Sequence, residues 1–174
     1  SSLLVLDEAY IDLAPKGTAP DLRPETDNVI RLRTFSKAYG IAGARVGYAI
    51  GPKSLISAFD KMRNHFGVSR ISQAGALAAL KDQAYVAEIA QKVAQSRETL
   101  AEIADDNNLI ALPSATNFVT IDCGGDGDFA RAVLEQTVAR SVFIRMPAVA
   151  PMNRCIRNSC GDSAAMALVA TVLP

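Results

Sequence analysis

The feature that most constrains the fold is a short apolar run that ends abruptly in charge. Residues 3–10 read LLVLDEAY, four apolar residues without alternation and then Asp7 and Glu8. A continuous run of this length reads as a strand covered on both faces, the usual condition in a parallel sheet flanked by helices. Asp7 then lies near the strand's exit, the end at which open α/β sheets collect functional groups.

A second strand, VIRLRTF (29–35), follows a loop rich in Pro, Asp and Thr (12–28), and a third, RVGYAIG (45–51), lies beyond a glycine-containing turn. Pro52 suits the first turn of a helix running to about Asn64. From Ser69 the pattern is helical, through RISQAGALAAL and then a long amphipathic stretch from about Gln83 to Asp106. Two strands broken at Pro113–Thr116 come next. Then follow a helix in DFARAVLEQTVAR, strands in VFIR and RCIRNSC, and a last helix in SAAMALVATVL. The GGDGD stretch at 124–128 reads as a loop supplying Asp126 or Asp128 as a helix cap, with too few oxygen ligands for calcium. No repeat is visible.

Composition narrows the partners. With 174 residues, 49% of them hydrophobic, the chain can bury a substantial core. Eighteen basic and eighteen acidic side chains cancel, so no net field recruits nucleic acid or an anionic membrane, and a small-molecule partner is expected. No apolar run approaches the roughly 20 residues that a bilayer requires. Cys123, Cys155 and Cys160 are an odd number without zinc spacing, and they read as reduced structural thiols in a cytosolic protein. The chain opens directly on an apolar strand, from which a missing N-terminal part is expected.

The chemistry centres on RTFSKAYGIAGARVGY (33–48). Thr34 and Ser36 flank the turn before Lys37, and Gly40, Gly43 and Gly47 lead past Arg45. Hydroxyl donors and a guanidinium fork suit a phosphate. Lysine's ordinary place is the solvent, and the glycines alone read as a tight turn beside a packed strand. Lys37 is therefore either one more cation around an anion or a nucleophile beside it, and Schiff-base chemistry needs its pKa lowered by burial or by a cation such as Arg45. Asp7 supplies a carboxylate able to hold a heteroaromatic nitrogen, and Tyr10 a donor to a ring hydroxyl. His65, the single histidine, needs no catalytic duty if Lys37 carries the proton.

DEAY followed by TFSKAYGIAGARVGY resembles the fold-type I, pyridoxal-phosphate-dependent aminotransferases of classes I and II, most closely the histidinol-phosphate aminotransferase subgroup. The resemblance continues through PSATNF (113–118) to RNSCG (157–161). It implies that Lys37 carries the cofactor as a Schiff base and moves the substrate proton. Asp7 would pair with the ring nitrogen and Tyr10 with the ring hydroxyl oxygen, while Thr34, Ser36 and Arg45 hold the cofactor phosphate. Arg157 takes the place of the substrate-anion arginine, Arg145 that of a second arginine near a substrate phosphate, and Arg154 matches no role and reads most simply as a surface charge. NHFGVS (64–69) departs from the proline, tyrosine and asparagine run usual in the subgroup, and RNSCG is more polar than the usual strand.

The fold implied is α/β. Residues 1–82 would form the C-terminal part of a large mixed-sheet cofactor domain, and 83–174 a linking helix and a smaller α+β domain. The activity implied is amino transfer between an amino acid or amino phosphate ester and a 2-oxo acid, in a cytoplasmic homodimer without a metal. A threonine-phosphate-type decarboxylase shares the same cofactor residues. A non-catalytic ligand-sensing domain, as in some transcription regulators, is a third reading, against which no helix-turn-helix signal or basic face is visible. The upstream half that supplies a phosphate loop and a ring-stacking aromatic is expected to lie outside these residues.

Overall fold

The computed structural model describes residues 2–173, which divide into two compact units between Ala90 and Gln91. In the first unit, β1 (Leu4–Asp7), β2 (Val29–Thr34) and β3 (Gly47–Ile50) form one sheet in that order. β1 pairs parallel to β2 and β3 antiparallel to it, a mixed sheet. Helices α1 (Lys53–Phe59) and α2 (Arg70–Lys81) follow, and the division between units falls within α3 (Gln83–Asp106).

Local chemistry sets the helix ends. The Pro52 carbonyl accepts from the N–H groups of Leu55 and Ile56 at 3.0 Å and opens α1. That helix stops at Phe59, short of Asn64, because the following residues close on themselves. Asp60 pairs with Arg63 at 2.8 Å, and the Asn64 side chain accepts from Phe66 N. Side-chain bonds of this kind offer the backbone an alternative to the helix. Ser69 caps α2 by accepting from Ser72 N at 3.1 Å.

The first unit has a thin core of Leu13, Ile30, Phe35, Ala38, Tyr39, Ala76 and Val86. β1 departs from the expectation of a strand covered on both faces: Leu4 and Val5, which point to opposite faces, are 50% and 52% exposed. The cause is position, since among the described residues β1 pairs only with β2 and forms the edge of the sheet.

In the second unit, β4 (Ile110–Ala111), β5 (Phe118–Asp122) and β6 (Cys155–Ser159) form an antiparallel sheet. Val119 and Ile121 of β5 and Ile156 of β6 turn into one cluster with Leu100, Ala104, Val133 and Met166. α4 (Gly127–Ala139) is capped by Asp126, which accepts from Asp128 N and Phe129 N, and α5 (Ser163–Val172) by Asp162, which accepts from Ala165 N. VFIR is not a full strand, for only Arg145 forms a bridge. Ser141 at φ 65° turns the chain just before it, and Pro147 follows. Among the described residues no helix is long and apolar enough to cross a membrane.

Candidate active site

Strand register gathers the first unit's expected residues. Asp7 lies opposite Leu32 in the parallel pair, and Gly47 opposite Thr34 in the antiparallel one. The chain therefore leaves β1 after Asp7, leaves β2 after Thr34 and enters β3 at Gly47 on a single edge. Asp7, Tyr10, Thr34, Ser36, Lys37 and Arg45 all fall there, at the carboxyl ends of two parallel strands, where α/β sheets place ligands.

Each turn is fixed by its own bonds. The Asp7 carboxylate accepts from Ala9 N at 3.0 Å, and a 3-10 turn (Ile11–Leu13) follows, anchored by buried Leu13. Tyr10 precedes that turn, and the Lys37 ammonium nitrogen stands 5.1 Å from its ring centroid, within cation–π range. The Lys37 loop is closed where Phe35 N donates to Val46 O at 3.1 Å and Ile41 N to Phe35 O at 3.2 Å. Buried Phe35 packs on Tyr39 and Tyr48, with ring centroids 4.8 and 5.6 Å apart. Half-buried Lys37 thus rises from a rigid base.

Thr34 Oγ1 accepts from Ser36 N at 3.1 Å and donates to Ser36 Oγ at 2.9 Å, which leaves the Ser36 proton to be donated outward. Arg45 is held at φ 53°, in the left-handed region that a non-glycine residue seldom occupies and that is enriched at ligand sites. Its guanidinium donates to Ala42 O at 2.8 Å while the side chain stays exposed. The three glycines differ. Gly40 sits at φ 70°, and a side chain at Gly47 would come 2.8 Å from Arg33 O, whereas Gly43 meets neither constraint.

In the second unit the two expected arginines are direct partners. Arg145 N donates to Arg157 O at 3.1 Å and Arg157 N to Arg145 O at 2.6 Å, so they form a hydrogen-bonded antiparallel pair whose side chains share a face. The Arg157 guanidinium lies 4.7 Å from the Phe118 ring centroid. Like charges directly opposed repel, and an anion between them is the natural compensation.

Other residues take structural places. Arg154 does not simply face solvent, for its Nε donates to Asp122 at 2.8 Å. The Gly124 N–H first, and Arg154 with it, holds the Asp122 carboxyl below its ordinary pKa. His65 is exposed, and all three cysteines are free thiols. Among the described residues no cluster of His, Cys, Asp or Glu could hold a metal. Sequence reasoning missed Glu8, which is buried and bonds both Arg31 and Arg33. Its signal was the alternation R-L-R in β2 beside an acidic strand end.

The sequence profile of the family described as aminotransferase class I and II matches residues 1–173. The histidinol-phosphate aminotransferase of Geobacillus sp. (strain WCH70) is 40% identical over 146 residues, 82% of this chain and 39% of that protein. That of Bacillus pumilus (strain SAFR-032) is 46% identical over 129 residues, 72% and 35%. The crystal structure of the Sinorhizobium meliloti histidinol-phosphate aminotransferase in complex with pyridoxal-5'-phosphate superposes with a TM-score of 0.93 at 54% identity, covering 99% of this chain and 48% of that one. The chain thus spans less than half the length of these relatives. Its profile match, its relatives and its mixed α/β architecture agree that the chain belongs to the class I and II aminotransferase family.

Proposed function

We propose that this chain is the lysine-bearing part of a pyridoxal-phosphate-dependent aminotransferase. It would pass an amino group between an amino acid or amino phosphate ester and a 2-oxo acid, as a histidinol-phosphate aminotransferase does. The observation that carries this reading is the meeting of Lys37, Tyr10, Asp7, Thr34, Ser36 and Arg45 at one strand edge, with Lys37 5.1 Å above the Tyr10 ring. The donor set fits the cofactor. A primary amine suits its aldehyde carbon, a carboxylate its ring nitrogen, and a phenol its ring oxygen, while two hydroxyls and a guanidinium match its phosphate.

When bound, that cofactor supplies an electron sink for the substrate's breaking bond. Asp7 would pair with the ring nitrogen and hold its proton. Thr34, Ser36 and Arg45 would hold the phosphate. Lys37 would hold the cofactor and, through its amine, accept and return the proton of the substrate carbon. Arg145 and Arg157 bind the substrate anion, and their pairing on one face suits the two charges of a phosphate ester.

On this reading residues 1–82 belong to a large cofactor domain and 83–174 to a linking helix and a small domain of a longer polypeptide. The bare faces of β1 are then covered by the rest of that polypeptide. The exposed Met62, Phe66 and Ile71 suit a homodimer contact, and the free thiols a reducing, cytoplasmic setting. The test is product analysis on the full-length protein with histidinol phosphate and 2-oxoglutarate. One oxo acid consumed per amino donor is expected. Carbon dioxide release from an amino phosphate acid without oxo-acid consumption would replace transamination by decarboxylation.

A further inference from the structure

Behind the edge that carries Asp7 and Tyr10, Glu8 is only 5% exposed, and it is the one buried charged side chain among the described residues. An ionised carboxylate is removed from water only where partners replace the lost solvation. Here each oxygen has its own partner: Arg31 Nε donates to Oε1 and Arg33 Nε to Oε2, both at 2.8 Å. The Glu8 N–H donates to the carbonyl of Leu32, the residue between those arginines, at 2.8 Å. Glu8 is thereby tied to three consecutive residues of β2.

The tie has a direction. Arg33 Nη1 also reaches Asp12 at 3.9 Å, so one arginine holds both sides of the turn that presents Tyr10. Arg31 Nη1 donates to Leu22 O at 3.0 Å and holds the loop that follows. Arg33 itself immediately precedes Thr34 and stands four residues before Lys37. One buried cluster therefore links the turn bearing Asp7 and Tyr10 to the strand that delivers Thr34, Ser36 and Lys37.

We propose that Glu8 is a positioning residue: its fork with Arg31 and Arg33 sets the distance of Asp7 and Tyr10 from Lys37, and so the seat of the cofactor ring. This rests on the cofactor reading above. The chemistry requires it of some group, because a catalytic carboxylate must be held to a fraction of an ångström.

The test is Glu8→Gln in the full-length, cofactor-loaded protein. The amide keeps the shape but sets its NH₂ against one arginine N–H, which loosens the fork. Amino transfer is expected to fall roughly tenfold to a hundredfold, as a misplacement of about 1 Å does. The pH at which the visible band of the bound cofactor titrates is expected to move by about half a unit or more. Reconstitution with N-methylated cofactor, whose ring nitrogen is permanently charged, should recover a larger fraction of activity in Glu8→Gln than in wild type, because it bypasses Asp7. Arg31→Met, which spares the Arg33 bond, should show the same changes to a smaller degree, and it decides the matter if Glu8→Gln does not fold. A lowered melting temperature with an unmoved titration and no gain from the N-methylated cofactor would overturn the positioning role alone. A wild-type protein that binds no cofactor would overturn it together with the function on which it rests.

Discussion

Asn158 offers a sharp test of how the second unit is held together. It lies in β6 opposite Val119, on the strand face shared with Ile156, and is 1% exposed. Neither its side-chain oxygen nor its nitrogen has a hydrogen-bond partner. A buried polar group without a partner costs about 1 to 3 kcal/mol, whereas an apolar side chain in that place gains burial instead. Asn158→Val, with a β-branched side chain suited to a strand, should therefore stabilise the second unit by about 2 kcal/mol. With a urea slope of about 2 kcal/mol per molar, the midpoint of that unit's unfolding rises by about 1 M. Equilibrium urea unfolding, followed by circular dichroism, measures it. Asn158→Asp, which places a charge among Val119, Ile121 and Ile156, should lower the midpoint. An unchanged or lower midpoint for Asn158→Val would show that the amide is satisfied and that the reasoning fails.

Arg157→Ala should reduce substrate use tenfold to a hundredfold while the cofactor stays bound, since a charged hydrogen-bonded fork contributes about 1.5 to 3 kcal/mol. Arg145→Ala should matter most for donors bearing a phosphate or second acid group, and an equal loss with neutral donors, in steady-state kinetics, would make it structural. Burial first, then the neighbouring Cys155 and Asp122, pushes the Cys123 thiol up to about 11, so it should resist iodoacetamide at pH 8 in the native protein and react on unfolding, as peptide mass mapping reads. For Glu8, burial raises the carboxyl pKa but the bonds from Arg31 and Arg33 outweigh it and hold it below its ordinary 4.5. The folded value lies below the unfolded one, so the stabilisation is complete above about pH 4.5 and is lost as pH falls through the folded value. Wild type should accordingly lose stability over that acid range more steeply than Glu8→Gln.

Much of the site was legible because it is local. Lys37, its hydroxyls and Arg45 lie within twelve residues of one another, and a strand–turn–strand pattern places them at one edge. The start of the helical pattern at Ser69 and the reach of α3 followed from apolar spacing, and a cap of α4 from Asp126 or Asp128 followed from side-chain chemistry at a helix start. The rest depends on contacts between distant segments. Glu8 meets its arginines across 23 and 25 residues, and Arg145 finds Arg157 through a single bridge that no periodicity announces. Arg154 looked like a surface charge because Asp122, its partner, is 32 residues away. The burial expected for β1 failed because an apolar run reports what a strand requires, while the cover must come from other chain segments.

The central claim is that Lys37 carries the cofactor. Borohydride reduction of the full-length protein loaded with pyridoxal phosphate, followed by proteolysis and mass spectrometry, tests it directly. The account predicts loss of the visible band and one reduced phosphopyridoxyl group on the peptide containing Lys37, absent in Lys37→Ala. A label on another lysine, or no covalent label on a protein that binds the cofactor, would contradict it.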